Sequence, residues 1–189
     1  FLLLSITALS FHYSAIVFFP LYFLNPKALN KVKYMSIILI AFILGFIGVR
    51  FGYFVGFIPI PEIQNLFSMY AKDVVMGVQG QLNIVSIPNL IKTCAIFLMI
   101  YNLDSIIRVN KYAYLLIKIY ILSLISFIFF SDIPGIGFRI SEFFGLVEIL
   151  IIPFFVYFFR FKLLGIFSVI LYCAYLFWST FYFQKLILL

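Results

Sequence analysis

The sequence contains one histidine, His12, in the middle of an apolar run. On a helix, Ser5, Ala8, His12 and Ala15 share a face, because steps of three, four and three residues follow the helical period. An imidazole on a face of small residues points into a bundle rather than into lipid, where it is a candidate for proton transfer. A packed histidine bonded to a neighbouring backbone or hydroxyl group fits the same spacing, so both readings stay open. A second group lies far along the chain at Arg139, Glu142 and Glu148. Arg139 and Glu142 are three residues apart and can pair on one helix face. Glu148 lies about 13 Å beyond Arg139 at the usual helical rise and points to the opposite side. A carboxylate at that depth costs on the order of 2.5–3.5 kcal/mol to insert, so it needs a partner or a wet cavity. A buried ion pair, or a protonated acid bonded to a serine, meets that need as well as a catalytic role does. Arg50 is ambiguous, since an arginine near the end of an apolar run can snorkel to the interface.

Together these residue types permit one chemistry. Arginine grips phosphate oxygens bidentately, and a carboxylate or imidazole can take a proton from an attacking hydroxyl. His12, Glu142 and Glu148 are the candidate catalytic groups, with Arg139 and Arg50 as candidate grips for an anionic lipid headgroup. No metal is expected, because no second histidine exists and no Cys–His spacing supports a site. No cofactor is expected either.

The elements that must position these residues follow from composition. The chain is 66% hydrophobic and 10% charged, with a mean hydropathy of +1.24. A soluble chain of 189 residues cannot hide that much apolar surface. In lipid every backbone polar group must be paired internally, and long unbroken apolar runs choose helices over a barrel. The expectation is an all-α polytopic transmembrane helix bundle of about six spans, forming a single integral membrane domain over residues 1–189. The spans are Phe1–Leu24, Tyr34–Val55, Asn89–Ile107, Tyr112–Ser131, Phe138–Phe159 and Leu163–Phe183. Because Phe1 opens inside an apolar run, the chain reads as part of a longer polytopic protein.

Charge orients the bundle. Asn25–Lys33, Arg108–Lys111 and Arg160–Lys162 are basic, whereas Gly56–Pro88 and Asp132–Gly137 hold Lys72 as their one base beside Glu62, Asp73 and Asp132. Positive-inside reasoning puts the basic set in the cytoplasm and Gly56–Pro88 outside. The net charge of +7 is thus topological, and no nucleic-acid partner is expected. His12, Arg50, Arg139, Glu142 and Glu148 then fall in the middle or outer half of the membrane. Within the long extracytoplasmic loop, Pro61–Val75 repeats apolar residues at helical spacing and predicts an amphipathic helix on the membrane surface. Gln79, Gln81 and Asn83 follow it, neutral groups that suit either sugar hydroxyls or solvent. Gly45, Gly48, Gly52 and Gly56 predict one small-residue packing face, Pro153 a kink, and Cys94 and Cys173 small core positions.

The segment Phe11-His12-Tyr13-Ser14-Ala15, running on to Phe19-Pro20-Leu21-Tyr22, resembles the His-x-Ser-Ala helix of EpsG-type proteins. These belong with the Wzy-like polysaccharide polymerases. Arg139-Ile140-Ser141-Glu142-Phe143-Phe144 resembles the family's Arg-x-Ser-x-Tyr/Phe-Phe stretch. The resemblance covers essentially the whole chain, as the C-terminal half of a family member. It implies polymerisation of undecaprenyl-diphosphate-linked oligosaccharide repeats at the outer face of the bacterial cytoplasmic membrane. The partners it implies are that lipid-linked glycan, membrane lipids and other polysaccharide-assembly proteins. It matches His12 and Ser14 to the first motif and Arg139 to the second, adding Ser14 to the substrate-binding candidates. A flippase for lipid-linked glycans, a membrane acyltransferase and a non-enzymatic assembly subunit are the rival readings. No convincing internal repeat favours the first, and a lone mid-membrane histidine supports the second poorly.

Overall fold

Runs of Leu, Ile and Phe between sparse Gly and Pro residues form helices here, and the ends of those helices are set by a few identifiable side chains. The computed structural model describes residues 2–11, 13–57, 59, 61–76, 82–179 and 181, and it is all-helical, with no strand among them. Its elements are α1 (Leu2–Phe11), a first 3-10 helix (Tyr13–Phe23), α2 (Lys31–Ile47), α3 (Phe51–Val55) and α4 (Pro61–Val75). There follow α5 (Ile87–Tyr101), α6 (Leu103–Val109), α7 (Ala113–Phe129), α8 (Pro134–Gly145) and α9 (Glu148–Ile151). A second 3-10 helix (Ile152–Tyr157) and α10 (Lys162–Trp178) complete the chain.

Several predicted spans are broken where the sequence reads as continuous. The first changes from α to 3-10 geometry, with Pro20 inside the second part. The second ends at Gly48, whose φ of 87° closes α2 in the left-handed conformation that only glycine adopts without strain. The third bends by 77° between α5 and α6. Pro153 marks the change from α9 into the second 3-10 helix, the geometric form of the expected kink. Among the described residues one helical stretch, Pro134–Tyr157, is long and apolar enough to cross a membrane, or two if the bent pair counts as one span. α7 and α10 are apolar but shorter, 17 residues each. The windows that predicted six spans measured apolarity, which a bend or a tightened turn leaves unchanged. The amphipathic helix over Pro61–Val75 forms as predicted.

α7 is the centre of the bundle. It packs against α2, α5, α6, α8 and α9. Ile117, Tyr120, Leu124 and Ser123 on it are fully buried. Lys118 is buried too, and its Nζ donates to the carbonyls of Asn25 and Ala28. Lys31 pairs with Asp104 at 2.8 Å, and α6 packs on the second 3-10 helix. The basic connections therefore gather at one end of the bundle. At the other end the Asp132 carboxylate accepts from the Gly52 amide, and Leu82 lies beside Gly137. Outside this core the surface is apolar, with Leu3, Phe57, Tyr101, Leu163 and Ile149 among its most exposed side chains. An apolar surface of that extent is matched by lipid rather than water.

The glycines of the second span divide by environment. A Cβ on Gly45 would meet Ile128 at 2.7 Å, and one on Gly52 would meet Asp132 and Phe67 at 2.4 and 2.6 Å. Those two serve close packing as expected. Gly48 caps a helix, and Gly56 has nothing within 4 Å, so the single packing face is corrected to two positions. Cys94 and Cys173 are also corrected, since both are exposed rather than core. The closest approach to backbone among the described glycines is at Gly165, where a Cβ would come 2.5 Å from Val156 Cα and 2.7 Å from Val156 O. Backbone cannot swing aside as a side chain can. Gly165→Ala is therefore expected to cost about 1–3 kcal/mol as an overpacked contact, lowering the thermal midpoint in detergent, while Gly56→Ala leaves it unchanged; equal midpoints would refute the packing role.

Candidate functional site

Four elements turn polar side chains toward α7. From α7 itself come Tyr120 and Ser123, three residues apart and so on one face. α5 brings Lys92, α8 brings Ser141 and Glu142, and α10 brings Tyr172. Between α8 and α9 a two-residue turn, Leu146–Val147, separates Glu142 from Glu148. That break lets the two acids of one apolar stretch enter the bundle differently.

The bonds form two linked groups. Tyr120 donates to Glu148 Oε1 at 2.7 Å, and Tyr172 donates to the same oxygen. The two phenol oxygens are 3.0 Å apart. A carboxylate accepting from two phenols has the partners that its depth demands. Beside them, Lys92 Nζ donates to Ser123 Oγ at 3.1 Å. Ser123 has one proton, which goes to the Ser141 carbonyl at 2.6 Å, so in the 3.3 Å contact between the two hydroxyls Ser141 is the donor. Lys92 Nζ also stands 5.5 Å from the Tyr120 ring centroid, joining the two groups by a cation–π contact. Glu148 and Glu142 both lie within Coulomb reach of the ammonium.

Two cavities border this network. The first, about 220 Å³, is lined by Asn89, Lys92, Ser141, Glu142, Glu148 and Tyr175, among others. The second, about 550 Å³, has apolar walls from Val17, Ile136, Ile140 and Phe143, with Arg139 and Glu142 as its charged residues. Glu142 thus belongs to both. Arg139 and Glu142 sit in one wall as their spacing predicts, but no ion pair closes between them, and both are exposed. Glu148 and Arg139 line different cavities.

Other predicted site residues lie elsewhere. Arg50 donates to the Gly45 carbonyl through Nε and Nη2, at 3.4 and 3.3 Å, and lines neither cavity. Its contact covers a carbonyl at the C-terminal end of α2, where a cation is favoured. His12 lies outside the described residues, as do Gln79 and Gln81. Ser14 belongs to the first 3-10 helix, and its side chain is likewise outside what is described. The sequence reading missed Lys92, Tyr120, Ser123 and Tyr172. Lys92 carried a signal, because an ionisable residue inside the third apolar run falls under the rule that selected Glu148. The hydroxyls carried none, since serine and tyrosine are common in such helices.

An all-helical protein with an apolar exterior, and with ionisable groups collected around two cavities, is a membrane protein with a polar site. The EpsG family model matches residues 1–188, and the chain belongs to the EpsG family of polysaccharide polymerases. Neither a curated protein nor a solved structure matches it. Membership points to a polymerase-type role in polysaccharide biosynthesis. Within the second family-like stretch, Arg139 and Glu142 border the larger cavity while Ser141 turns into the smaller one.

The network itself makes a prediction. Tyr120→Phe removes a donor to a half-buried carboxylate and is expected to destabilise the fold by about 1.5–3 kcal/mol. In the Glu148→Gln background the same change should cost less, because a neutral amide needs its donors less. Denaturant unfolding in detergent measures both, and strictly additive losses would contradict the contact.

Proposed function

We propose that this chain polymerises undecaprenyl-diphosphate-linked oligosaccharide repeats at the outer face of the cytoplasmic membrane, as the catalytic part of a multi-pass bundle. The observation that carries this reading is Glu142, a carboxylate shared by a polar cavity and an Arg139-bearing cavity with apolar walls. A lipid diphosphate needs apolar walls for its chain and a guanidinium for its phosphates. An attacking sugar needs hydrogen-bonding groups and a base within reach.

In the reaction, Glu142 takes the proton of the acceptor hydroxyl as that oxygen bonds to the anomeric carbon of the donor. The bond from that carbon to the diphosphate breaks, and the diphosphate leaves with the electron pair. Arg139 stabilises the charge that builds on it. Glu148, held by two phenols, orients groups in the smaller cavity. His12 remains a second candidate for the base, and Ser14 a candidate for substrate binding, on the motif they belong to. Arg50 is less favoured as a phosphate ligand, because its guanidinium is occupied with the Gly45 carbonyl.

Arg139→Ala is expected to abolish polymer while single repeats accumulate on lipid. Glu142→Gln is expected to slow transfer by roughly 10²–10⁴-fold, the usual worth of a positioned acid or base, with the lipid-linked repeat still bound. Purified chain in detergent is the right assay, since an enzyme lengthens glycans there and a flippase needs a sealed membrane. Unchanged polymer length in either variant would overturn the assignment.

A further inference from the structure

The smaller cavity differs from its neighbour in charge and in wall chemistry. It sets two carboxyl groups, Glu142 and Glu148, against one ammonium, Lys92. That balance repels a diphosphate, whereas the neighbouring cavity sets one guanidinium against one carboxyl group amid apolar walls. Around the three ionisable groups stand neutral hydrogen-bonding side chains, Ser86, Asn89, Tyr175 and Ser179. The volume, about 220 Å³, lies below the roughly 300–1,000 Å³ of pockets that enclose drug-sized ligands. There is room for one sugar ring and not for a whole repeat.

Unused hydrogen-bonding capacity lines this space. Lys92 spends one of its three protons on Ser123, and among the described residues no second acceptor takes another. Glu148 accepts both phenols on Oε1, leaving Oε2 without a partner among the described residues. Glu142 makes no hydrogen bond through its side chain among them. An ammonium only donates and a carboxylate only accepts, whereas each sugar hydroxyl does both. A donor and an acceptor lining one cavity therefore favour one orientation of a vicinal diol.

We infer that this cavity is the subsite for the acceptor sugar, a neutral terminal ring of the growing glycan. Lys92 and Glu148 are its specificity-determining residues, holding a diol so that one hydroxyl is presented to Glu142. The excess of carboxyl groups excludes sugars that carry a carboxylate. This inference rests on the polymerase reading for the fate of the hydroxyl, but not for the binding itself.

Two probes separate the subsite from the lipid site. One is undecaprenyl diphosphate without glycan. The other is the free repeat oligosaccharide, released by mild acid from lipid-linked repeats of cells lacking this protein. Calorimetry on the purified full chain is expected to show that Lys92→Met weakens the free repeat by roughly tenfold or more, the effect of losing a charge-assisted hydrogen bond. Binding of undecaprenyl diphosphate should stay unchanged in Lys92→Met and fall in Arg139→Ala. The inference is overturned if the wild-type chain does not bind the free repeat, if Lys92→Met binds it equally well, or if Lys92→Met weakens both probes alike. Where Lys92→Met does not fold, Tyr175→Ala in the same cavity carries the test with the same outcomes. Failure of the wild-type chain to lengthen glycans overturns the polymerase reading alone, because sugar binding is measured without turnover.

Discussion

A carboxylate inside an apolar bundle has to find its hydrogen bonds in the protein, and Glu148 finds them on two phenols from two different helices. Tyr120 comes from α7 and Tyr172 from α10, so this one acid ties α9 to both. The same demand repeats along α7. Its Lys118 is satisfied by loop carbonyls of Asn25 and Ala28, and its Ser123 by Lys92 and Ser141. Water cannot take these roles in the hydrocarbon, which makes each contact specific rather than interchangeable. α7 is central because it carries the polar groups that the neighbouring helices must answer.

That satisfaction leaves selected charges unspent. Arg139 and Glu142 border a cavity without closing an ion pair, while Lys92 lines a second cavity together with Glu142 and Glu148. Two cations thus stand in unlike surroundings. The guanidinium among apolar walls suits a lipid phosphate, and the ammonium among carboxyl groups and hydroxyls suits a neutral polyol. In the proposed reaction Glu142, common to both walls, takes the proton of the attacking hydroxyl.

Much of this was legible before any coordinates. Composition and long apolar runs required helices in lipid, and the structure is all-helical among the described residues. Arg139 and Glu148 line different cavities as expected, whereas Glu142 lines both and closes no ion pair with Arg139. The break at Gly48 was harder than the kink at Pro153, since a glycine that packs and a glycine that caps look alike in a row of glycines. Only its φ distinguishes Gly48. Cys94 and Cys173 were misplaced because in a membrane protein an apolar side chain has no reason to prefer the core over the surface.

The sequence by itself determined the class of environment and the residues whose charge is costly in lipid. Those follow from transfer free energies, which are properties of residue types and of their order along the chain. Only the tertiary structure decided that Tyr120 and Tyr172 hold Glu148, that Lys92 meets Ser123, and that Arg50 is occupied elsewhere. Serine and tyrosine leave almost no mark in an apolar run. Their meaning comes from which helix lies opposite, and that is fixed by the packing of α7 against its neighbours.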